Sequence, residues 1–247
     1  MPTTKKIALI TGANKGLGFE MARQLGQQGV AVLLAARDLT KGEAAAKTLE
    51  SEGIDARAVK LDVADSGDVK AVAALIEKDY GHLDILINNA GIMIEPGGFA
   101  SNTAVTSGPE ILERTFETNF FAVVALTQAL LPLIEKAPAG RIVNMSSILG
   151  SQTLHATPGS PIYDAKTFAY DASKAALNSF TIHLAHALKG TKVKVNSAHP
   201  GWVKTDMGTD AAPMELPEGA KTGVELAMLG EDGPTGGYFH LGKTLPW

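Results

Sequence analysis

The chain of 247 residues contains no cysteine. That excludes disulfides and thiolate chemistry without fixing a compartment. Basic charge is not in surplus either: 22 Lys and Arg against 26 Asp and Glu leave a net charge of -4. There is thus no electrostatic footprint for nucleic acid, and no Lys/Arg cluster that suggests a membrane surface. The opening Met1-Pro-Thr-Thr-Lys-Lys6 runs into a short apolar stretch that ends at a glycine turn. It reads as neither a signal peptide nor a membrane span, so a cytoplasmic protein is expected. Linkers, repeats and low-complexity tracts are missing as well, so residues 1–247 are expected to form one domain.

What is present is ample core material, 45% hydrophobic residues and 26 glycines, in a regular alternation of short apolar runs and amphipathic segments. Ile7–Thr11, Val30–Ala36, Ala56–Leu61, Ile85–Asn88, Arg141–Ser146, Val193–Ala198 and Gly237–Leu241 read as strands. Helices are expected at 17–28, 40–52, 66–79, 110–136, 168–189 and 217–229. Strands alternating with helices imply a doubly wound α/β domain with a mostly parallel sheet, here of seven strands. Three stretches break the pattern: 93–109, 148–163 and 202–216, each following a strand and rich in Gly, Pro or Met. Open α/β sheets bind ligands beyond the carboxyl ends of their strands. The three loops are therefore expected to form a substrate pocket, with Met93, Leu149, Trp202, Met207 and Met214 as apolar candidates.

Thr11-Gly-Ala-Asn-Lys-Gly-Leu-Gly18 follows the first strand and opens the first helix. Glycines there permit a tight turn and a close approach of backbone to a pyrophosphate, which a helix N-terminus stabilises. The spacing is not the common G-x-G-x-x-G, and no Gly-Lys-Ser/Thr of a phosphate loop occurs. The second strand ends Ala35-Ala36-Arg37, where an NAD-binding protein usually places an acid against the ribose 2′-hydroxyl. Arg37 can instead pair with a 2′-phosphate, and Lys15 can reach the same group, which favours NADP(H) over NAD(H).

Tyr170-Asp-Ala-Ser-Lys174 places a phenol and an ammonium on one helix face, four residues apart. A tyrosine with a pKa of about 10 is a poor proton donor at neutral pH. A nearby cation favours the phenolate, which makes Tyr170 a candidate general acid/base. Ser146 and Ser147 close the strand before it, and either hydroxyl could polarise a carbonyl oxygen. No Gly-x-Ser-x-Gly elbow surrounds them, so neither reads as an acylating nucleophile. Asn119 stands inside a long helical pattern that its own propensity does not explain. Tyr163 has Thr167 four residues on and lies near Pro161, so it reads as a pocket or packing residue. His183 and His186 share a helix face without an acidic partner, and no metal is expected. Asn144-Met-Ser146 matches a glycosylation sequon but falls in a predicted buried strand.

Taken together, Thr11–Gly18, Asp62-Val63, Asn88-Asn-Ala-Gly91, Asn119, Ser147, Tyr170 with Lys174, and Pro200-Gly201 occur in one order. Over essentially its full length the chain resembles the short-chain dehydrogenases/reductases, a Rossmann-type family. Asn14-Lys15-Gly16 with Ala36-Arg37-Asp38 is similar to the NADPH-dependent carbonyl reductases within it. The resemblance implies an oxidoreductase that uses NADPH/NADP+ on a small carbonyl or alcohol substrate, without a metal. It selects Ser147 over Ser146. It implies that Ser147 steadies a carbonyl oxygen which Tyr170 protonates, and that Lys174 lowers the Tyr170 pKa and holds the nicotinamide ribose. Asn119 would hold a water linking Lys174 to solvent. Cofactor contacts are implied for Gly12, Asn14, Lys15, Gly16, Leu17, Gly18, Arg37, Asp62, Val63, Asn89, Ala90, Gly91, Tyr170, Lys174, Pro200, Gly201, Val203 and Thr205. Among them, Asp62 is expected on the adenine, and Thr205 on the nicotinamide carboxamide or diphosphate.

One departure is the spacing of Ser147 and Tyr170, 23 residues, longer than in most of the family. The extra residues fall in 148–163 and add Leu154, His155, Ile162 and Tyr163 as pocket walls. They also put the family's common tetramer in doubt, leaving dimer, tetramer or monomer open. Leu245-Pro-Trp247 is expected to pack on the domain or on a neighbour. The competing readings are an alcohol dehydrogenase with the same residues, and an NADP(H)-sensing regulator without turnover, whose signature would be loss of Tyr170 or Lys174.

Overall fold

A computed structural model describes residues 5–97 and 103–247. The strands are β1 (Ile7–Thr11), β2 (Ala31–Ala36), β3 (Ala56–Lys60), β4 (Ile85–Asn88), β5 (Arg141–Met145), β6 (Lys194–Ala198), β7 (Tyr238–His240) and β8 (Lys243–Thr244). They form one sheet in the order β3-β2-β1-β4-β5-β6-β7-β8. All neighbours pair in parallel except β7 and β8, which are antiparallel. The sheet thus has eight strands rather than the expected seven. The eighth is a two-residue exposed edge strand, Lys243–Thr244, too short and polar to leave an apolar pattern.

The chain winds outward from β1 to β3 and then returns to add β4 on the other side of β1. The crevice between the ends of β1 and β4 is therefore the topological switch point, where such sheets bind ligands. Successive residues of β1 face opposite sides, as the strand period of two requires. Ile7 and Leu9 pack beneath α3 (Ser66–Asp79), α5 (Ala122–Lys136) and the end of α7 (Phe168–Ala187). Ala8 and Ile10 pack beneath α1 (Gly16–Gln27), α2 (Leu39–Ser51) and α8 (Leu216–Ala227). Both faces being covered explains why β1, β2, β4 and β5 are buried at every position.

The long helical pattern at 110–136 resolves into α4 (Pro109–Phe116), a π-helical turn (Glu117–Phe121) and α5. The run Pro109–Glu135 is long and apolar enough to cross a membrane by length and composition; here Leu126, Leu130, Leu133 and Ile134 bury that character against the sheet. The 148–163 stretch is not a bare loop. It holds a 3-10 turn (Ile148–Gly150) and α6 (Gln152–Ala156). Ser147 starts the first by accepting from the Leu149 N–H, and Ser151 starts the second by accepting from the Leu154 N–H. Such short serine-capped turns lack the periodicity by which longer helices are read. The C-terminus packs on its own domain: Trp247 stacks on Tyr238 with ring centroids 5.5 Å apart, and its carbonyl accepts from the Thr153 N–H.

Candidate active site

The glycine turn lies at the switch point. Gly16 adopts φ +59° at the start of α1, a conformation that glycine takes without strain. A Cβ on Gly18 would stand 2.6 Å from both Asn89 Nδ2 and the Gly12 carbonyl oxygen, so only glycine fits there. Asn89 Nδ2 donates to the Thr11 carbonyl, and the Thr11 hydroxyl accepts from the Asn89 and Ala90 N–H groups. The Asn89 side chain thus braces the turn and is not turned to a ligand. Lys15, the N-cap of α1, makes no side-chain cap, and no acid occupies the first turn. An anion-binding helix terminus results.

Two depressions flank this turn. One, of about 690 Å³, is lined by Asn14, Lys15, Gly16, Phe19, Lys41 and Thr48 among others. The second, of about 560 Å³, lies toward α4 and includes Arg37, Asp62, Ala64, Ile92, Ile94 and Thr118. Arg37 and Lys15 therefore line different depressions, although the sequence placed both on one phosphate. Lys15 is ion-paired with Asp206, both side chains exposed, and would have to leave it to meet a phosphate. Lys41, in the first turn of α2, faces the same depression as Lys15 and was not foreseen. Its signal was its place four residues after Arg37.

Several implied contacts can be made only by backbone. Val63 is buried in the core, Leu17 packs against the α8 layer, and Val203 bridges to Met214. The Thr205 hydroxyl accepts from the Gly208 N–H at 2.9 Å, closing its own turn. Asp62 Oδ1 accepts from the Ala64 N–H at 3.1 Å. Gly201, with φ +94°, follows Pro200 and packs against Met214, so Met214 supports that turn.

The candidate reacting residues converge beyond β4 and β5. Tyr170 and Lys174 are both buried on one face of α7, with Lys174 Nζ 5.5 Å from the Tyr170 ring centroid. Lys174 Nζ donates to the Met145 carbonyl at 2.9 Å, beside the two serines. Ser147 lies against the Tyr170 phenol and opposes the effect of burial on it. Ser146 is fully turned inward, beside the buried Tyr238. Asn119, in the π turn, is completely buried; its Oδ1 accepts from the Ile92 N–H, and its Nδ2 donates to the Ile92 carbonyl and to Ser173 Oγ. Its side chain is thus committed to protein, which leaves only its backbone for a water. A Cβ on Gly91 would stand 3.4 Å from both Asn119 Oδ1 and Lys174 Nζ, so the Gly91 backbone runs between them.

Burial dominates the electrostatics of this pair. Burial pushes the Tyr170 pKa up to about 12, with Ser147 pulling the other way and the Asp171 charge adding to the rise. Burial also takes Lys174 down to about 8. Both shifts follow from removing ionised groups from water.

Apolar walls from all three loops surround Tyr170: Met93, Leu149 with Leu154 and Ile162, and Met207. Trp202 is half exposed and donates to the Gly208 carbonyl. Tyr163 is partly exposed, with Lys166 Nζ 5.2 Å from its ring centroid. His155 and His199 approach the site as supports, His155 Nε2 lying 2.8 Å from the Leu149 carbonyl oxygen. His199 Nδ1 accepts from the Ile148 and Gly201 N–H groups, and burial lowers its pKa to about 3. It therefore stays neutral and fixes the turn after Ser147. Asn144 of the sequon is fully buried and bonded to Thr181. Among the described residues no cluster could hold a metal.

Comparison with known proteins identifies the family. The family model for short chain dehydrogenases matches residues 6–216. Pig carbonyl reductase [NADPH] 1 is 33% identical, with 100% of this chain and 96% of the relative covered. Peppermint (-)-isopiperitenone reductase is 32% identical, with 99% of each covered. Among solved structures, NADPH-bound carbonyl reductase from chicken fatty liver superposes with a TM-score of 0.83 at 27% identity, covering 98% of this chain and 99% of that one. The Drosophila carbonyl reductase Sniffer gives 0.82 at 30% identity, covering 99% and 100%. The chain belongs to the short-chain dehydrogenase/reductase family.

Proposed function

We propose that this protein is an NADPH-dependent carbonyl reductase that converts a ketone or aldehyde to an alcohol, with Tyr170 as general acid. The observation that carries the reading is the convergence of Ser147, Tyr170, Lys174 and Asn119 on one apolar-walled site next to a glycine-lined helix terminus. The carbonyl reductases named above, which are similar over nearly their full length, support the choice of reaction and cofactor.

The residues present fit the cofactor. Gly18 leaves a cradle that any Cβ would fill, and the α1 terminus offers uncapped N–H groups to a pyrophosphate. Gly12, Asn14, Gly16 and the backbone of Leu17 would complete that cradle. Arg37 from one depression, and Lys15 and Lys41 from the other, would favour a 2′-phosphate held between them. Asp62 and the Val63 backbone would take the adenine. Asn89, Ala90 and Gly91 would present backbone to the middle of the molecule, and Pro200, Gly201, Val203 and Thr205 the same to the nicotinamide end. When bound, NADPH supplies the hydride.

The protein's own groups do the rest. Ser147 donates a hydrogen bond to the substrate carbonyl oxygen and orients it. Tyr170, protonated throughout the neutral range at a pKa of about 12, gives its phenolic proton to that oxygen as negative charge develops. Lys174 remains cationic below about pH 8, stabilises the phenolate formed, and would hold the ribose hydroxyls of a bound cofactor. Asn119 locks the Ile92 backbone and, through Ser173, the catalytic helix. The apolar walls exclude water and favour substrates with apolar groups flanking the carbonyl. The sensor reading has no observation in its favour, since all four reacting residues are in place.

The test is steady-state reduction of a panel of ketones and aldehydes, followed at 340 nm with NADPH and then NADH. Turnover with an NADPH preference, lost in Tyr170→Phe while NADPH binding persists, is expected. Undiminished turnover in Tyr170→Phe would sink the assignment.

A further inference from the structure

The N-terminus of the catalytic helix α7 is not capped by its own N-cap residue. Thr167 provides no side-chain cap, although the first N–H groups of any helix need partners. The partners come from the loop after β4. Glu95 Oε1 accepts from the Ala169 N–H at 2.8 Å, and its Oε2 accepts from the Tyr170 N–H at 3.0 Å, across 75 residues of sequence. Thr103 Oγ1 accepts from the Phe168 N–H at 3.0 Å and donates to Glu95 Oε1 at 2.7 Å. Glu95 and Thr103 are both buried, 6% and 5% exposed.

A buried carboxylate is costly unless it is hydrogen-bonded. Glu95 takes three hydrogen bonds at the positive end of a helix, where a negative charge is stabilised. Its charge is felt locally, for it contributes to the raised pKa of the neighbouring Asp171. The two carboxylate oxygens match two consecutive N–H donors, and one of these belongs to Tyr170 itself.

We infer that Glu95 is a positioning residue for Tyr170: it grips the tyrosine's own main chain and sets the phenol against Ser147 and Lys174. The inference rests on the reading of Tyr170 as general acid. Met93, two residues before Glu95, packs in the apolar cluster around Tyr170. The loop that walls the substrate site therefore also holds the acid, which couples substrate seating to the placement of the proton donor. Small errors in such placement cost up to about a hundredfold in rate.

The decisive variant is Glu95→Gln, which keeps the volume and one acceptor but turns an amide NH2 toward a backbone donor. Expected are a kcat reduced by about 10- to 100-fold, NADPH and substrate KM within about twofold, and faster hydrogen exchange at the Phe168–Tyr170 amides. The core variant Val72→Ala, which lies among α3 contacts away from the site, controls for stability. It should lower the melting temperature at least as much and leave kcat within about twofold. Thr103→Val should change kcat and exchange in the same direction, less strongly, and carries the test if Glu95→Gln does not fold. A folded Glu95→Gln with wild-type kcat, or a kcat loss matched by Val72→Ala at equal stability, would overturn the inference. Tyr170→Phe is run beside them. If it keeps turnover, the underlying assignment fails, whatever Glu95 does.

Discussion

Lys174 donates its one described hydrogen bond to the Met145 carbonyl, 2.9 Å away, and among the described residues no carboxylate forms an ion pair with it. A buried ammonium without a counterion is costly to fold around, and burial lowers its pKa from 10.5 to about 8. At pH 7 the folded protein therefore holds a charge that its core disfavours. Lys174→Met should abolish turnover yet raise the melting temperature of the cofactor-free protein. Each kcal/mol recovered is worth roughly 2–4 °C in a chain of this size. A melting temperature that drops at pH 7 would show that the ammonium is a net support for the fold.

The same shift sets a pH dependence. The Lys174 pKa is lower in the folded chain, so between about 8 and 10.5 the unfolded chain binds more protons. Stability from this group rises with pH across that window, and the advantage of Lys174→Met should shrink as pH approaches 10. Activity runs the other way. The ammonium that stabilises the phenolate is lost above about pH 8, so kcat/KM for reduction should fall there. Tyr170, at about 12, contributes no break in the neutral range. A flat kcat/KM profile to pH 10 would contradict the assignment of charge to Lys174.

Asp171 behaves oppositely. Burial chiefly, with a contribution from the Glu95 charge, raises its pKa from 3.8 to about 7, against the Thr167 N–H and Lys166. The folded state then binds the extra proton between about pH 4 and 7, and stability falls as pH rises through that window. Asp171→Asn keeps an acceptor for the Thr167 N–H, which Asp171 Oδ2 now takes at 2.9 Å. It should remove this decline and make the protein more stable than the parent at pH 8. Urea unfolding at pH 4.5, 6 and 8 checks it, and an unchanged slope would mean that Asp171 is already ionised when folded.

The sheet was legible because both of its faces are covered, which writes each inner strand as an unbroken apolar run such as Val30–Ala36. Tyr170, Lys174 and Asn119 stand out in the sequence as candidates, Asn119 because asparagine inside a helix is out of place; in the fold it lies in the π turn. What escaped were relationships between distant segments. Nothing local marks Glu95 as the cap of a helix 75 residues away, or commits Lys15 to Asp206. The net Tyr170 pKa was not legible for a similar reason: spacing shows which charge is near, while burial, the larger effect here, depends on three loops closing over the ring.

The Lys15–Asp206 pair yields a last expectation. Both side chains are exposed, 69% and 82%, and the pair joins the glycine turn to the 202–216 loop across the cofactor cleft. An exposed pair contributes little to stability. It still competes with an incoming 2′-phosphate for the same ammonium. Asp206→Asn should therefore lower the KM for NADPH, by a few-fold at most. The change should leave kcat and the KM for NADH nearly unaltered and fade in high salt, where such charges are screened. Arg37 has no described carboxylate to leave, so Arg37→Ala should raise the NADPH KM alone. The loss of a hydrogen bond to a charged group implies roughly 10- to 100-fold. If Asp206→Asn weakened NADPH and NADH equally, the aspartate would be holding the 202–216 loop in place, and Lys15 would not be the group that reads the phosphate.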